Sequence, residues 1–249
     1  MNQRITVIHE PDSLKPFVII DKPAGLPSAP LNESDKDNAF YQAAELFPQL
    51  LEVTGKKPVE HGLLHRLDTA TAGLMIIAAT QECYDFLQQE QKEGRIIKTY
   101  LAECGLLRSY APHNNPVLPE PVEGQHITLT SYFRAYGPGR KEVRPVTVDS
   151  NKAALDKVDK KVLYTTEVFI KSIDKSKNIA LVECKITNGY RHQIRSHLAW
   201  AGLPIINDSV YNPDTNKKST EQMHFCASKI EFEYPRGDLN SYDRKDTWT

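Results

Sequence analysis

The segment His65-Arg66-Leu67-Asp68-Thr69-Ala70-Thr71-Ala72-Gly73-Leu74 sets one carboxylate beside an arginine and a histidine, just ahead of the apolar run Leu74-Met75-Ile76-Ile77-Ala78-Ala79. That run predicts a strand, and a short polar loop at its head would hold Asp68 on rigid scaffold, where a catalytic group works best. The plain alternative is a turn former or local cap. A second constellation, Asn188-Gly189-Tyr190-Arg191-His192-Gln193-Ile194-Arg195-Ser196-His197, carries two Arg and two His with no acid. It opens a predicted helix over about 191–201, closed by Gly202, in which Arg191 and Arg195 share one face. Positive charge near a helix N-terminus opposes the macrodipole and costs about a few tenths of a kcal/mol or more. The arrangement therefore points to a distant anion, either a carboxylate from another segment or a phosphate. Otherwise it is a solvated face with Ile194, Leu198 and Ala201 packed inward.

The elements that must position these groups follow from periodicity and punctuation. Phe17-Val18-Ile19-Ile20 is a short strand stopped by Asp21-Lys22-Pro23-Ala24-Gly25, which has turn chemistry. Residues 28–38 are polar and expected to be a mobile loop. Phe40, Ala43, Ala44 and Phe47 recur at helical spacing, ended or bent by Pro48. Thr80 is placed to cap a helix over about 81–93, and Gly94 stands where a left-handed C-terminal residue is wanted. Strands are expected at 96–104, 162–173, 178–187 and 224–233. In the third of these Val182, Cys184 and Ile186 face a core while Glu183 and Lys185 face water. Residues 106–160 are rich in Pro, Gly and Lys and read as a surface insertion with short strands at most; the tail from about 236 reads as polar and frayed. Strands and helices mix without a βαβ rhythm. The expected fold is α+β, a single domain over 1–249 with a mixed, mainly antiparallel central sheet flanked by helices.

Composition narrows the function classes. No apolar run approaches the roughly 20 residues of a membrane span, and the N-terminus has no signal-like apolar region. Cys83, Cys104, Cys184 and Cys226 are widely spaced without a Cys-x-x-Cys pair, as expected of reduced, buried thiols in a cytoplasmic protein. The net charge of −1 permits a nucleic-acid-binding face without arguing for one. Positive charge clusters at 188–197 and in Arg134-Ala135-Tyr136-Gly137-Pro138-Gly139-Arg140-Lys141-Glu142-Val143-Arg144. Neither a Gly-x-Gly-x-x-Gly or P-loop nor a Gly-x-Ser-x-Gly elbow is present. His61 and His65 are four apart, but Gly62 and the following strand argue against a helical metal site, and no metal is expected.

His65-Arg66-Leu67-Asp68, a small polar stretch and then Gly73-Leu74 closely resembles the catalytic motif of the RluA-type pseudouridine synthases. Gly189-Tyr190-Arg191-His192-Gln193-Ile194-Arg195-Ser196-His197-Leu198-Ala199 is similar to that family's third motif, continued by Gly202 to Asp208. Lys98-Thr99-Tyr100 matches its Lys-x-Tyr motif, Phe17 to Ala24 resembles its early strand, and Met223-His224-Phe225 echoes its Leu-His-Ala segment. One departure is that Tyr190-Arg191 stands where the family usually has Arg-Thr. The resemblance implies the pseudouridine synthase catalytic fold and isomerisation of uridine in structured RNA (rRNA or tRNA), without a cofactor. Asp68 is then the catalytic carboxylate, Arg195 its fork-shaped partner and Tyr100 the residue against the uracil. Asp68 would attack the sugar, add to the uracil or abstract a sugar proton. His65, Arg66, Arg134, Arg140, Lys141, Arg144 and Arg191 are the expected RNA contacts. The protein would be a monomer whose partner is RNA rather than a membrane. Nothing before Asp21 is long enough for the small accessory RNA-binding domain of some members. An N-glycosidic hydrolase, or a non-catalytic RNA-binding or RNA-folding protein of the same fold, is the alternative.

Overall fold

The computed structural model describes residues 3–106, 120–159, 162–216, 220–235 and 237–245. Among the described residues ten strands, β1 (Thr6–His9), β2 (Phe17–Lys22), β3 (Ala72–Ala78), β4 (Ile97–Gly105), β5 (His126–Tyr136), β6 (Glu142–Val146), β7 (Tyr164–Asp174), β8 (Ile179–Ile186), β9 (Phe225–Glu233) and β10 (Leu239–Asp243), are interspersed with four α-helices. The helices are α1 (Ala39–Leu46), α2 (Gln81–Lys92), α3 (Lys152–Leu155) and α4 (Gln193–Trp200). The chain forms two compact units, Met1–Lys98 with Cys226–Thr249, and Thr99–Phe225.

In the first unit β1, β2 and β3 pair antiparallel in sequence order. β3 then pairs parallel with β9, through Ala72 to Cys226 and Gly73 to Ala227, and β10 closes antiparallel on β9. Every residue of β3 is buried, as its unbroken apolar run requires. Leu87 of α2 packs with Phe17, Ile19, Leu74, Ile76, Ile230 and Phe232 in one core. Thr80 caps α2 by accepting the Cys83 N–H, and Gly94 ends it at φ +74°. In the second unit β4, β8, β7, β5 and β6 follow one another across the sheet. β8 alternates as expected, with Val182, Cys184 and Ile186 buried. The architecture is α+β and mainly antiparallel.

Four expectations need correction. The stretch 106–160 is no mere surface insertion: β5 is an eleven-residue strand paired to β7 on one side and β6 on the other, burying Ile127, Leu129, Ser131 and Phe133 in strict alternation. Residues 107–119 of it lie outside the described residues. The tail from about 236 is not frayed where it is described, since β10 adds a strand and Arg244 donates to both carboxylate oxygens of Asp21 at 2.8–2.9 Å. The loop 28–38 begins with the buried residues Ser28 and Ala29, so its first residues are packed rather than mobile. Finally, α4 starts at Gln193 because His192 takes a left-handed conformation (φ +55°), which puts Arg191 outside the helix and off the face of Arg195.

Gly73 explains the glycine of the Asp68 motif. Its φ is +127°, and a Cβ there would lie 2.4–2.7 Å from the Ala227 backbone across the β3–β9 pair. Gly73→Ala is expected to destabilise the protein by at least about 2 kcal/mol, from backbone strain plus a clash with main chain that has no flexible end to move. Urea denaturation measures it, and a stability equal to wild type would refute the tight register.

Candidate active site

Asp68 is fixed through the peptides around it. Ser28 Oγ accepts the Leu67 N–H at 3.0 Å and donates to the Leu67 carbonyl at 2.7 Å, clamping the preceding residue on both sides. The Asp68 carbonyl accepts the Thr71 N–H at 2.9 Å, closing a tight turn into β3. The Thr69 carbonyl accepts the Gly25 N–H at 2.6 Å. It also receives Lys22 Nζ at 3.4 Å, and the same ammonium donates to the carbonyls of Leu26 (2.7 Å) and Pro23 (2.9 Å). Leu67 packs inward at the same point, and the Asp68 side chain keeps partial access to solvent. The two neighbouring loops are stitched together at the carboxylate's root.

Two buried ammonium groups lie in this unit. Burial pulls Lys22 down to about 8, against the opposing effect of the Asp68 and Asp21 carboxylates. Burial likewise pulls Lys98, at the start of β4, down to about 8. Desolvation first, and then the charge of Lys98, lower the His65 imidazole to about 3. Neutral His65 accepts the Ile76 N–H on Nε2 at 3.3 Å, which leaves its proton on Nδ1 and ties its loop to β3. The ring therefore braces the loop and carries no charge toward RNA. Arg66 is exposed and meets the Glu60 carboxylate at 3.2 Å. Sequence reasoning passed over Lys22 as turn chemistry, although a lysine inside Asp-Lys-Pro-Ala-Gly was the available signal.

In the second unit Tyr100 is buried and stacked on Phe225, with centroids 5.3 Å apart and planes 15° off parallel. Arg195 is buried on α4. Its Nε and Nη2 donate to the two oxygens of Asp208, each at 2.8 Å, in a bidentate pair. This carboxylate, thirteen residues further along the chain, answers the expectation of a distant anion. Burial pushes the Asp208 carboxyl up, but the Arg195 hydrogen bonds and charge, with two backbone donors, outweigh it and hold the group below the ordinary carboxylate value. The helix is locked by buried His197, whose Nε2 meets Ser131 Oγ (2.9 Å) and Nδ1 meets Thr166 Oγ1 (2.8 Å). Burial lowers that imidazole to about 3, so both contacts are those of a neutral ring.

The remaining basic residues gather on the β5–β6 hairpin. Arg134 and Arg144 stand directly opposite in the register, a like-charge pair that disfavours the hairpin by up to about 1 kcal/mol. The Arg144 guanidinium lies 3.7 Å over the Tyr136 ring and 3.3 Å from Glu142, and Arg134 lies 5.7 Å from the same ring. Arg140 and Lys141 are exposed at the tip. Arg191 joins this group through its side chain, Nη2 donating to the Arg140 carbonyl and, at 3.4 Å, to that of Glu142. Among the described residues no group of three or more His, Cys, Asp or Glu gathers that could hold a metal ion. Nor is any helix long and apolar enough to cross a membrane.

Residues 16–200 match the family model for RNA pseudouridylate synthase. The chain is 29% identical over 211 residues to the tRNA pseudouridine(31) synthase of Saccharomyces cerevisiae, covering 82% of this chain and 46% of that protein. It is 28% identical over 217 residues to the ribosomal large subunit pseudouridine synthase D of Nitrosomonas europaea, covering 87% and 52%. The chain thus spans about half the length of these curated relatives. Human RNA Pseudouridylate Synthase Domain Containing 1 shares the fold at a TM-score of 0.66 and 16% identity, covering 99% of this chain and 85% of that one. With the matched segment running from the strand before the Asp68 loop through α4, the chain belongs to the RNA pseudouridylate synthase family.

Proposed function

We propose that this protein converts uridine in structured RNA, tRNA or rRNA, to pseudouridine. The observation that carries the reading is Asp68, anchored on both sides by main-chain bonds to Ser28, Gly25 and Lys22 while its side chain stays partly accessible. The N1–C1′ bond breaks, the uracil turns, and C5 joins C1′; C5 loses its proton and N1 gains one. The reaction is redox-neutral and needs no group donor, so no cofactor is required. A fixed carboxylate suits it because C1′ gains positive character as the bond breaks. Asp68, Arg195 and Tyr100 form the catalytic set, with Arg195 as the guanidinium partner of Asp68 and Tyr100 against the base. A stacked uridine is out of reach, so the target is flipped out or lies in a loop. The relatives' names speak of a transfer RNA site and of the large ribosomal subunit, and both substrates stay open here. The two units work as one catalytic domain, monomeric and cytoplasmic.

Arg134, Arg140, Lys141 and Arg144 make the phosphate-facing surface. Arg191 serves it chiefly by bracing the hairpin, and exposed Arg66 is a further basic contact, whereas neutral His65 braces its own loop. The double change Arg140→Ala, Lys141→Ala is expected to weaken RNA binding and flatten the log Kd against log salt slope by roughly 1.5, for two lost phosphate contacts. Filter binding between low and moderate salt reads this, and an unchanged slope removes the tip from the RNA surface.

The reaction class is tested with total RNA, tritiated at uridine C5, from a strain lacking this gene. Isomerisation releases tritium into water and leaves the uracil attached. Free labelled uracil would mean an N-glycosidic hydrolase, and RNA bound without release of either would mean a non-catalytic binding protein.

A further inference from the structure

Arg195 sits in a cradle built on the turn Asp208 to Tyr211 and fixed against β6 and α4. Asp208 Oδ2 accepts Nε, and Oδ1 accepts Nη2, each at 2.8 Å. Oδ1 also accepts the backbone N–H groups of Val210 (2.9 Å) and Tyr211 (3.1 Å), so the carboxylate itself has one available orientation. The guanidinium carbon lies 5.3 Å from the centre of the Tyr211 ring. The Tyr211 hydroxyl accepts the Val143 N–H at 2.8 Å and meets His192 Nδ1 at 3.1 Å, fixing the ring between β6 and the start of α4. Ser196 Oγ completes the frame by donating to the Val143 carbonyl at 2.8 Å.

The side chains of Arg195 and Asp208 are 6% and 0% exposed, so both charges have been taken out of water. A buried ion pair adds little to stability compared with well-packed apolar residues of similar volume, whereas an arginine that must act in one orientation needs such a partner. The pairing takes the Nε–Nη2 edge of the guanidinium and therefore dictates where its other edge points. A lone charge requirement would not need a two-point contact, a ring beneath the plane and two backbone donors aligning the acceptor.

We propose that Asp208, supported by Tyr211, is a positioning residue for the reaction, holding the Arg195 guanidinium in the single orientation in which it serves the catalytic carboxylate. This deepens the reading above and rests on Arg195 being the partner of Asp68. The turn Asp208-Ser209-Val210-Tyr211 thereby belongs to the functional apparatus, although none of its residues is expected to touch the uracil.

The test compares wild type, Asp208→Asn, Arg195→Lys and the double variant, using total RNA from a strain lacking this gene. Single-turnover pseudouridine formation, RNA affinity and thermal unfolding are measured for each. Asp208→Asn is expected to slow the reaction roughly 100-fold, the scale of a small misplacement of a catalytic group, with RNA affinity unchanged. The double variant is expected to be no slower than the slower single, because both changes break one device. Asp208→Glu retains the charge and displaces it by a methylene. Should Asp208→Asn fail to fold, a folded Asp208→Glu that is at least roughly 10-fold slow at unchanged affinity supports the proposal. Losses that multiply in the double variant, or wild-type rates in folded Asp208→Asn or Asp208→Glu, would overturn it. A wild-type rate in Arg195→Lys would instead remove the catalytic role of Arg195 itself, and the positioning role with it.

Discussion

Asp68→Asn is expected to reduce pseudouridine formation by at least roughly 10⁴-fold, to the floor of detection, while RNA still binds. The change is isosteric, removing the negative charge and turning one acceptor oxygen into an NH2 donor. The bonds that shape the loop are main-chain or come from neighbours: Ser28 to Leu67, Gly25 and Lys22 to the Thr69 carbonyl, and the Asp68 carbonyl to Thr71. None depends on the carboxylate, so the variant should melt cooperatively and close to wild type. The basic β5–β6 hairpin is untouched, and removing an anion does not weaken attraction for RNA. Loss of rate with retained affinity separates a chemical role from a structural one. A variant that remains active would sink the catalytic assignment, and one that unfolds would show that the carboxylate chiefly shapes the turn.

Arg195→Lys is the second large effect. Lysine keeps the positive charge but replaces a planar fork with a point charge on a flexible stem. It offers one nitrogen in place of two, so the paired 2.8 Å contacts from Nε and Nη2 are lost and no planar cation lies over Tyr211. The expected loss of rate is roughly 10²–10³-fold, as for removal of one preorganised electrostatic group. The fold should survive because the buried carboxylate keeps a cation. Loss of one charge-assisted hydrogen bond costs about 1.5–3 kcal/mol, or roughly 3–12 °C in Tm. Single-turnover kinetics with a thermal melt distinguish this from collapse of α4. Full activity would mean that charge alone suffices at this position.

Much of the molecule was legible in its residues. The β3 run, the Thr80 cap and Gly94 end of α2, and the alternation of β8 were all readable because local pattern and tertiary burial agree there. Asp68 stands out through the resemblance of its motif, since a polar loop before an apolar strand taken alone reads equally as a turn former or cap. β5 alternates just as β8 does, with Ile127, Leu129 and Phe133 inward, but Pro and Gly on both sides made the whole region look like surface loop. β10 was missed because Leu239-Asn240-Ser241-Tyr242-Asp243 is a polar edge strand stabilised by pairing to β9 and by the Arg244–Asp21 contact, neither visible locally. The helix carrying Arg195 was placed two residues too early because a left-handed His192 is rare for a non-glycine residue. Partners distant along the chain were the least accessible. An unbalanced arginine implied an anion somewhere, and only the fold identifies Asp208. Lys22 is similar, since a lysine buried to satisfy three carbonyls cannot be told from a solvated one by sequence.

The most direct measurement is pseudouridine mapping across total RNA from cells lacking this gene, complemented with wild-type protein or with Asp68→Asn. The expected result is one or more uridines modified with wild type and unmodified with the variant, which would establish the isomerase and identify its substrate together. Identical maps, with both proteins present and folded at equal levels, would contradict the assignment of Asp68 to uridine isomerisation.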